Sequence, residues 1–139
     1  MRAQSTVKFL YTGSSKISIG LGARAQSTAP YANTYSRIGG YSCVAVTYSS
    51  SAYFYIFDGS GSSAALEKNS LTEDSWYTLE FTAEGTDFTC TLYDEDGTTV
   101  ASETKSDDTY TSGYNGLVPY TLSADTTAWY VSEYTITVL

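Results

Sequence analysis

The chain reads as an all-β protein, an antiparallel β-sandwich of jelly-roll type with almost no helix. Composition is the first reason: 14 Tyr, 5 Phe and 2 Trp stand beside abundant Ser and Thr, with only 2 Pro and 1 Met. Aromatic and β-hydroxy side chains suit a pleated, half-buried surface. The second reason is the stretch 76–101, WYTLEFTAEGTDFTCTLYDEDGTTVA. There Tyr77, Leu79, Phe81 and Ala83 alternate with Thr78, Glu80 and Thr82, and Phe88, Cys90 and Leu92 alternate with Thr89, Thr91 and Tyr93. That is the period of strands wet on one face. Glu84-Gly85-Thr86 and Asp94-Glu95-Asp96-Gly97 supply two tight turns, the second with a glycine free to take a positive φ. Thirdly, short strands punctuated by Gly, Ser and Asp recur along the whole sequence, as in sandwiches and jelly rolls. A length of 139 residues suits one domain, 1–139.

Each element follows in order. Residues 6–11 place Val7, Phe9 and Tyr11 on one face, and 12–15 turn the chain. Residues 16–24 alternate Ile17, Ile19, Leu21 and Ala23 with Ser18, Gly20, Gly22 and Arg24, the glycines marking a face that another backbone or a ring approaches closely. Residues 25–40, with Pro30, Asn33 and Gly39-Gly40, form the longest irregular stretch. Residues 41–48 and 51–57 make a hairpin around Ser49-Ser50, apolar on both faces as in central strands. A short segment follows at 63–66, and 71–75 suits one helical turn capped by Thr72. After the 76–101 meander, 104–110 reads as a polar connection, and 116–122 and 128–139 as the last strands.

The formal charge is −8, unevenly spread: residues 1–57 hold five basic and no acidic residues, whereas 58–139 hold all 15 acids and two lysines. Either folding interleaves the two halves, or the subunit has a basic and an acidic face suited to head-to-tail stacking. The acidic balance argues against nucleic acid as a partner. No segment approaches the ~20 apolar residues of a membrane-spanning helix, so no membrane insertion is expected. No apolar leader precedes the first strand. A cytoplasmic protein, a piece of a longer chain, or a virion protein released by lysis would all fit. The polar, Tyr-rich surface favours the last two, on a virion or extracellular surface. Asn33, Asn69 and Asn115 all lack the glycosylation sequon. Cys43 and Cys90 both lie in strand-like runs. Two buried free thiols are the favoured reading; a disulfide would close a loop of about 47 residues, worth about 4 kcal/mol by chain entropy.

The chain has no histidine, which excludes Ser-His and Cys-His catalysis and His-ligated metal. Aromatic side chains are the clearer handle, because Tyr and Trp stack on the apolar faces of sugar rings and anchor protein contacts. Tyr53 and Tyr55 share a strand face, Tyr114 with Asn115 reads as a turn, and Trp129 and Tyr130 point to opposite sides. Tyr53, Tyr55, Tyr114, Asn115 and Trp129 are therefore the candidate glycan or protein contacts. The plainer reading is that they fill the sandwich or its interfaces.

The run WYTLEF-AEGTDFTCTLYD-DGTTVAS, the segment YTSGYNGL at 110–117 and the segment AWYVSEYTI at 128–136 resemble the concanavalin A-like lectin/glucanase superfamily, and within it the laminin-G-like modules of bacterial and viral surface proteins. The resemblance covers residues 41–138. Because the superfamily includes glycosidases, it directs attention to paired carboxylates, which need ~5.5 Å or ~6.5–9.5 Å between them. Glu80 and Glu84 share a face but lie ~13 Å apart along one strand, and the glucanase-type E-x-D-x-x-E strand is missing. No catalytic residue is expected. The resemblance also implies calcium on loops, with Asp58, Asp107, Asp108 and Asp125 as weak candidates against a plainer reading as solvated turn aspartates. Asp94-x-Asp96-Gly97 fails as an EF-hand loop, because its twelfth position is Lys105. Such modules usually carry an extra first strand beside the terminal one, and residues 1–6 leave little room for it. One sheet edge, near 128–139 or 6–11, is therefore expected to stay open and pair with a neighbouring subunit. The expected function is a non-catalytic structural or adhesion module that self-associates or joins other subunits of a virion or extracellular assembly. A lectin-like glycan-binding module is the alternative, and a glycoside hydrolase the remote one.

Overall fold

The computed structural model describes residues 2–11, 17–26, 39–48, 51–58, 62–64, 71–121 and 131–138. The strands among these residues are β1 (Arg2–Tyr11), β2 (Ile17–Ala25), β3 (Tyr41–Tyr48), β4 (Ser51–Phe57), β5 (Ser62–Ala64), β6 (Ser75–Glu84), β7 (Asp87–Tyr93), β8 (Thr99–Ser106), β9 (Tyr114–Thr121) and β10 (Val131–Val138). They form two five-stranded antiparallel sheets, ordered β10-β1-β6-β7-β8 and β5-β4-β3-β2-β9. The expected turn at 12–15, most of the irregular stretch 25–40, the Ser49-Ser50 turn, Asp125 and Trp129 lie outside the described residues.

Alternation builds the core as expected. Val7 and Phe9 of β1, Tyr77, Leu79 and Phe81 of β6, and Phe88, Cys90 and Leu92 of β7 are buried against Ile19, Leu21, Tyr41, Cys43, Phe54 and Ile56 of the facing sheet. Aromatic rings carry the centre: Tyr41 and Phe88 lie 3.9 Å apart by ring centroids, and Phe81 and Phe88 6.0 Å. Cys43 of β3 and Cys90 of β7 are joined in a disulfide, with their Cα atoms 5.5 Å apart. The free-thiol reading gives way here, because facing core positions of the two sheets bring the thiols together.

Both meander turns form where expected. Gly85 takes φ 58° and Gly97 φ 80°. The Asp94 carboxylate accepts the Asp96 and Thr98 backbone N–H groups at 3.0 and 2.8 Å, and Gly97 N–H donates to the Asp94 carbonyl at 3.1 Å. This Asx arrangement is why aspartate opens such turns.

Four expectations are corrected. β1 starts at Arg2 and pairs with β6 over its whole length, from Arg2↔Glu84 to Tyr11↔Ser75. The strand beside the terminal one is therefore β1 itself, an interior strand of its sheet. β8 continues through Thr104, Lys105 and Ser106, opposite Thr89, Phe88 and Asp87, so only 107–113 connect it to β9. Residues 71–75 form a tight turn rather than a helical one: Asp74 sits at φ 57°, and Thr72 N–H donates to the Tyr77 hydroxyl at 2.7 Å. β3 is buried on both faces at 41–45, but among the described side chains of β4 only Phe54 and Ile56 are fully buried, and Tyr53 is 43% exposed.

Candidate functional site

The aromatic candidates are not gathered into one site. Tyr53 and Tyr55 sit on the outward side of β4, opposite Val46 and Val44. Tyr114 and Asn115 open β9 rather than occupying a turn, with Tyr114 paired to Ala25. β4 and β9 are three strand spacings apart, ~14 Å across the sheet, and Tyr53 lies toward the other end of the strands. Tyr114 is 61% exposed. Asn115 is engaged in the fold, its side-chain oxygen accepting the Arg24 backbone N–H at 3.4 Å.

The loop end beyond β2, β6 and β8 collects the polar candidates. Arg24 donates to the Tyr110 carbonyl at 3.1 Å and the Gly85 carbonyl at 2.5 Å, with its guanidinium 4.9 Å from the Phe88 ring centroid. The Tyr41 hydroxyl donates to the Asp107 carboxylate and accepts the Tyr110 N–H at 3.2 Å. Burial above all, then the Asp107 bond, pushes the Tyr41 phenol up to about 12. The Tyr41 hydroxyl and then the Thr109 N–H hold Asp107 below the usual carboxylate range. Asp58 forms an ion pair with Lys105. Asp58 and Asp107 are thus tied to the fold, Asp108 is exposed, and among the described residues no three ligating side chains converge to hold a metal ion. Glu80 faces Thr6 and Thr91 across its strand pairs. Glu84 faces Arg2 and Asp87 at an exposed turn.

The other notable surface is a sheet edge. Among the described residues, β10 pairs only with β1 in its sheet. The register Val7↔Tyr134, Ser5↔Ile136 and Ala3↔Val138 points these three β10 side chains toward the inner, core-side face, yet they are 39%, 41% and 57% exposed. Burial of its hydroxyl end raises the Tyr134 phenol, and a hydrogen bond with the Leu117 backbone pulls it partly back. Apolar alternation in 131–138 marks the strand in the sequence, but its edge position depends on pairing.

No family model matches the sequence, and a search of curated proteins finds no significant match. Among solved structures, the tail fiber protein gp63.1 of an E. coli phage superposes with a TM-score of 0.50 and 16% identity, over 98% of this chain and 15% of that one. The fold is a jelly-roll β-sandwich. Mouse laminin alpha1 chain, domains LG4-5, gives a TM-score of 0.43 and 17% identity, over 85% of this chain and 28% of that one. At these identities the likeness is one of fold, and the jelly roll seen here spans a small part of either larger chain. No helix among the described residues is long and apolar enough to cross a membrane.

Proposed function

We propose that the protein is a non-catalytic structural or adhesion module of a virion or other extracellular assembly, joined to neighbouring subunits through the free edge of β10. The observation that carries this reading is the contrast among the edges of the two sheets. β5 is only three residues long. β9 contains Pro119, which has no N–H to offer a partner. β8 has Glu103 and Lys105 opposite core residues Cys90 and Phe88; a register shift does not separate the two edges, since β8 has one near Tyr93 and β10 one near Phe9. Short edges, proline, bulges and inward charges are the ordinary protections against edge-to-edge pairing. β10, VSEYTITV, is eight residues long with neither Lys nor Pro, and its inner face is apolar and exposed. A strand added there would satisfy its outward backbone groups and cover Tyr134, Ile136 and Val138.

Sedimentation velocity on the purified chain tests this. Concentration-dependent association is expected, and the double variant Ile136→Lys/Val138→Lys should remain monomeric with its dichroism spectrum unchanged. Thr104→Lys on β8 should leave association intact. A wild-type chain that stays monomeric at high concentration would refute the reading.

A further inference from the structure

Asn115 and Gly116 form the single Asn-Gly step of the sequence, at the start of β9. Among the described residues β9 pairs only with β2 and is an edge strand of its sheet. We infer that Asn115 is a site of spontaneous deamidation, with water as co-reactant, giving aspartate and isoaspartate at the head of β9. The reaction needs an unobstructed backbone nitrogen after the asparagine. Gly116 has no Cβ to shield that nitrogen, whereas Asn33 and Asn69 are followed by Thr34 and Ser70.

Two steps account for every atom. The Gly116 nitrogen attacks the Asn115 side-chain carbonyl carbon, so that the N–Cγ bond forms and the Cγ–Nδ2 bond breaks. Ammonia leaves, carrying the proton of the Gly116 N–H, and a five-membered succinimide remains. Water then adds to one of its two carbonyl carbons and returns a proton to the nitrogen. Addition at Cγ gives aspartate. Addition at the main-chain carbonyl carbon gives isoaspartate, whose backbone runs through Cγ.

An extended strand holds the Gly116 nitrogen away from the side chain, so the reaction proceeds through local opening of the strand end. This end is built to open. Asn115 has no partner in the β2–β9 register, which passes from Gly22↔Gly116 to Ala25↔Tyr114. The Arg24 N–H reaches its side-chain oxygen only at 3.4 Å, and Tyr114 beside it is 61% exposed. Edge segments with few buried contacts open at the lowest cost. A Cβ on Gly116 would meet no atom within 4 Å, so the ring has room to form.

The two products act differently on the fold. Aspartate keeps an acceptor for the Arg24 N–H and adds one negative charge to a chain of net −8. Isoaspartate inserts a methylene into the β9 main chain. Its N-terminal side has no slack, because a Cβ on Gly113 would lie 2.5 Å from the Arg24 carbonyl carbon. Arg24 in turn holds the Tyr110 and Gly85 carbonyls. Isoaspartate therefore loosens this loop end, and aspartate leaves it closed. No β10 residue takes part, so the inference stands or falls separately from the assembly reading.

Peptide mapping by mass spectrometry of the full chain, incubated in mildly alkaline buffer, tests this, with the same chain unfolded in guanidinium chloride as reference. In the folded chain the peptide holding Asn115 should gain one mass unit, and part of it should resist cleavage by endoproteinase Asp-N at that position, the mark of isoaspartate. Gly116→Ala should slow the conversion roughly tenfold or more with its dichroism spectrum unchanged, since open space receives the added methyl. Should that variant fail to fold, incubation of the wild type in heavy-oxygen water should place the label on residue 115. The aged chain should melt lower than fresh protein, while Asn115→Asp should melt as the wild type does. Asn115 intact in the folded chain once the unfolded reference has fully converted, an unchanged rate in a folded Gly116→Ala chain, or no heavy oxygen at residue 115 would overturn the inference. Equal melting of aged and fresh chains would overturn the loosening of the loop end.

Discussion

Arg24 adopts φ 53°, a region that costs an ordinary L residue about 1–2 kcal/mol. It is held there by its own side chain, which ties the β6–β7 turn at Gly85 to the connection at Tyr110 and covers Phe88. Close packing forces the neighbouring glycines: a Cβ on Gly113 would lie 2.5 Å from the Arg24 carbonyl carbon, and one on Gly40 2.6 Å from the Arg24 carbonyl oxygen. Beside this latch, the Tyr41–Asp107 pair makes the fold respond to pH at both extremes. Asp107 has its folded value lowered from 3.8, so its contribution is complete above that pH and fades as the pH falls through the lowered value. Tyr41 has its folded value raised from 10.0 to about 12. Its contribution is complete below pH 10 and is lost as the pH climbs toward 12. Tyr41→Phe removes the alkaline effect and part of the acid one, since the Thr109 N–H still holds Asp107, and leaves the Tyr110 N–H without its acceptor, a loss of about 2 kcal/mol at neutral pH. Melting temperatures followed across the pH range should show a flatter alkaline limb and a smaller acid loss in the variant. Identical pH profiles in the two proteins would show that the pair contributes nothing to linkage.

Between elements, the Cys43–Cys90 bond ties β3 to β7, and so one sheet to the other. With 47 residues of separation, chain entropy puts its contribution at about 4 kcal/mol, and measured values for such bridges often fall nearer 2. Cys43→Ala/Cys90→Ala should therefore lower the melting temperature by about 10 °C while keeping the β-type dichroism spectrum. A variant as stable as the wild type would show the bridge to be dispensable. The pattern of what could be read beforehand follows the same division between local and long-range order. β6 and β7 were legible because each has one dry and one wet face, which writes a period of two into the sequence. The ends of β1 and β8 were not, because Arg2 to Ser5 and Thr104 to Ser106 are mostly polar and owe their strand state to pairing with β6 and β7. The 71–75 turn misled because Thr72 resembles a helix cap, while a tertiary bond to the Tyr77 hydroxyl claims its N–H. The open edge was legible only as a choice between 128–139 and 6–11, because register between strands leaves no mark in any one of them; pairing puts β1 inside the sheet and β10 at its edge.

At the scale of the molecule, strand order among the described residues dilutes the charge segregation that the two halves of the sequence suggest. β1 brings the basic residues Arg2 and Lys8 into the middle of the acidic first sheet, with Arg2 opposite Glu84 and Lys8 opposite Glu133. The strands of the second sheet carry one charged residue, Arg24. A basic face and an acidic face stacking head to tail therefore have no basis in the sheets. This makes the salt dependence of assembly diagnostic. Each copy carries a net −8, so two copies repel at long range, while the β10 strand brings one charge to the contact, Glu133, already opposite Lys8. Raising ionic strength from ~0.01 to ~0.15 M shortens the screening length from ~30 to ~8 Å. That suppresses the repulsion and leaves backbone pairing and apolar burial at Ile136 and Val138 almost untouched, so association should tighten several-fold. Sulfate should tighten it further than chloride, by strengthening apolar burial. Sedimentation velocity across the salt series reads both effects. Contacts between opposite charges would show the reverse, weakening as salt is added, and that result would move the interface away from β10 to the charged loops.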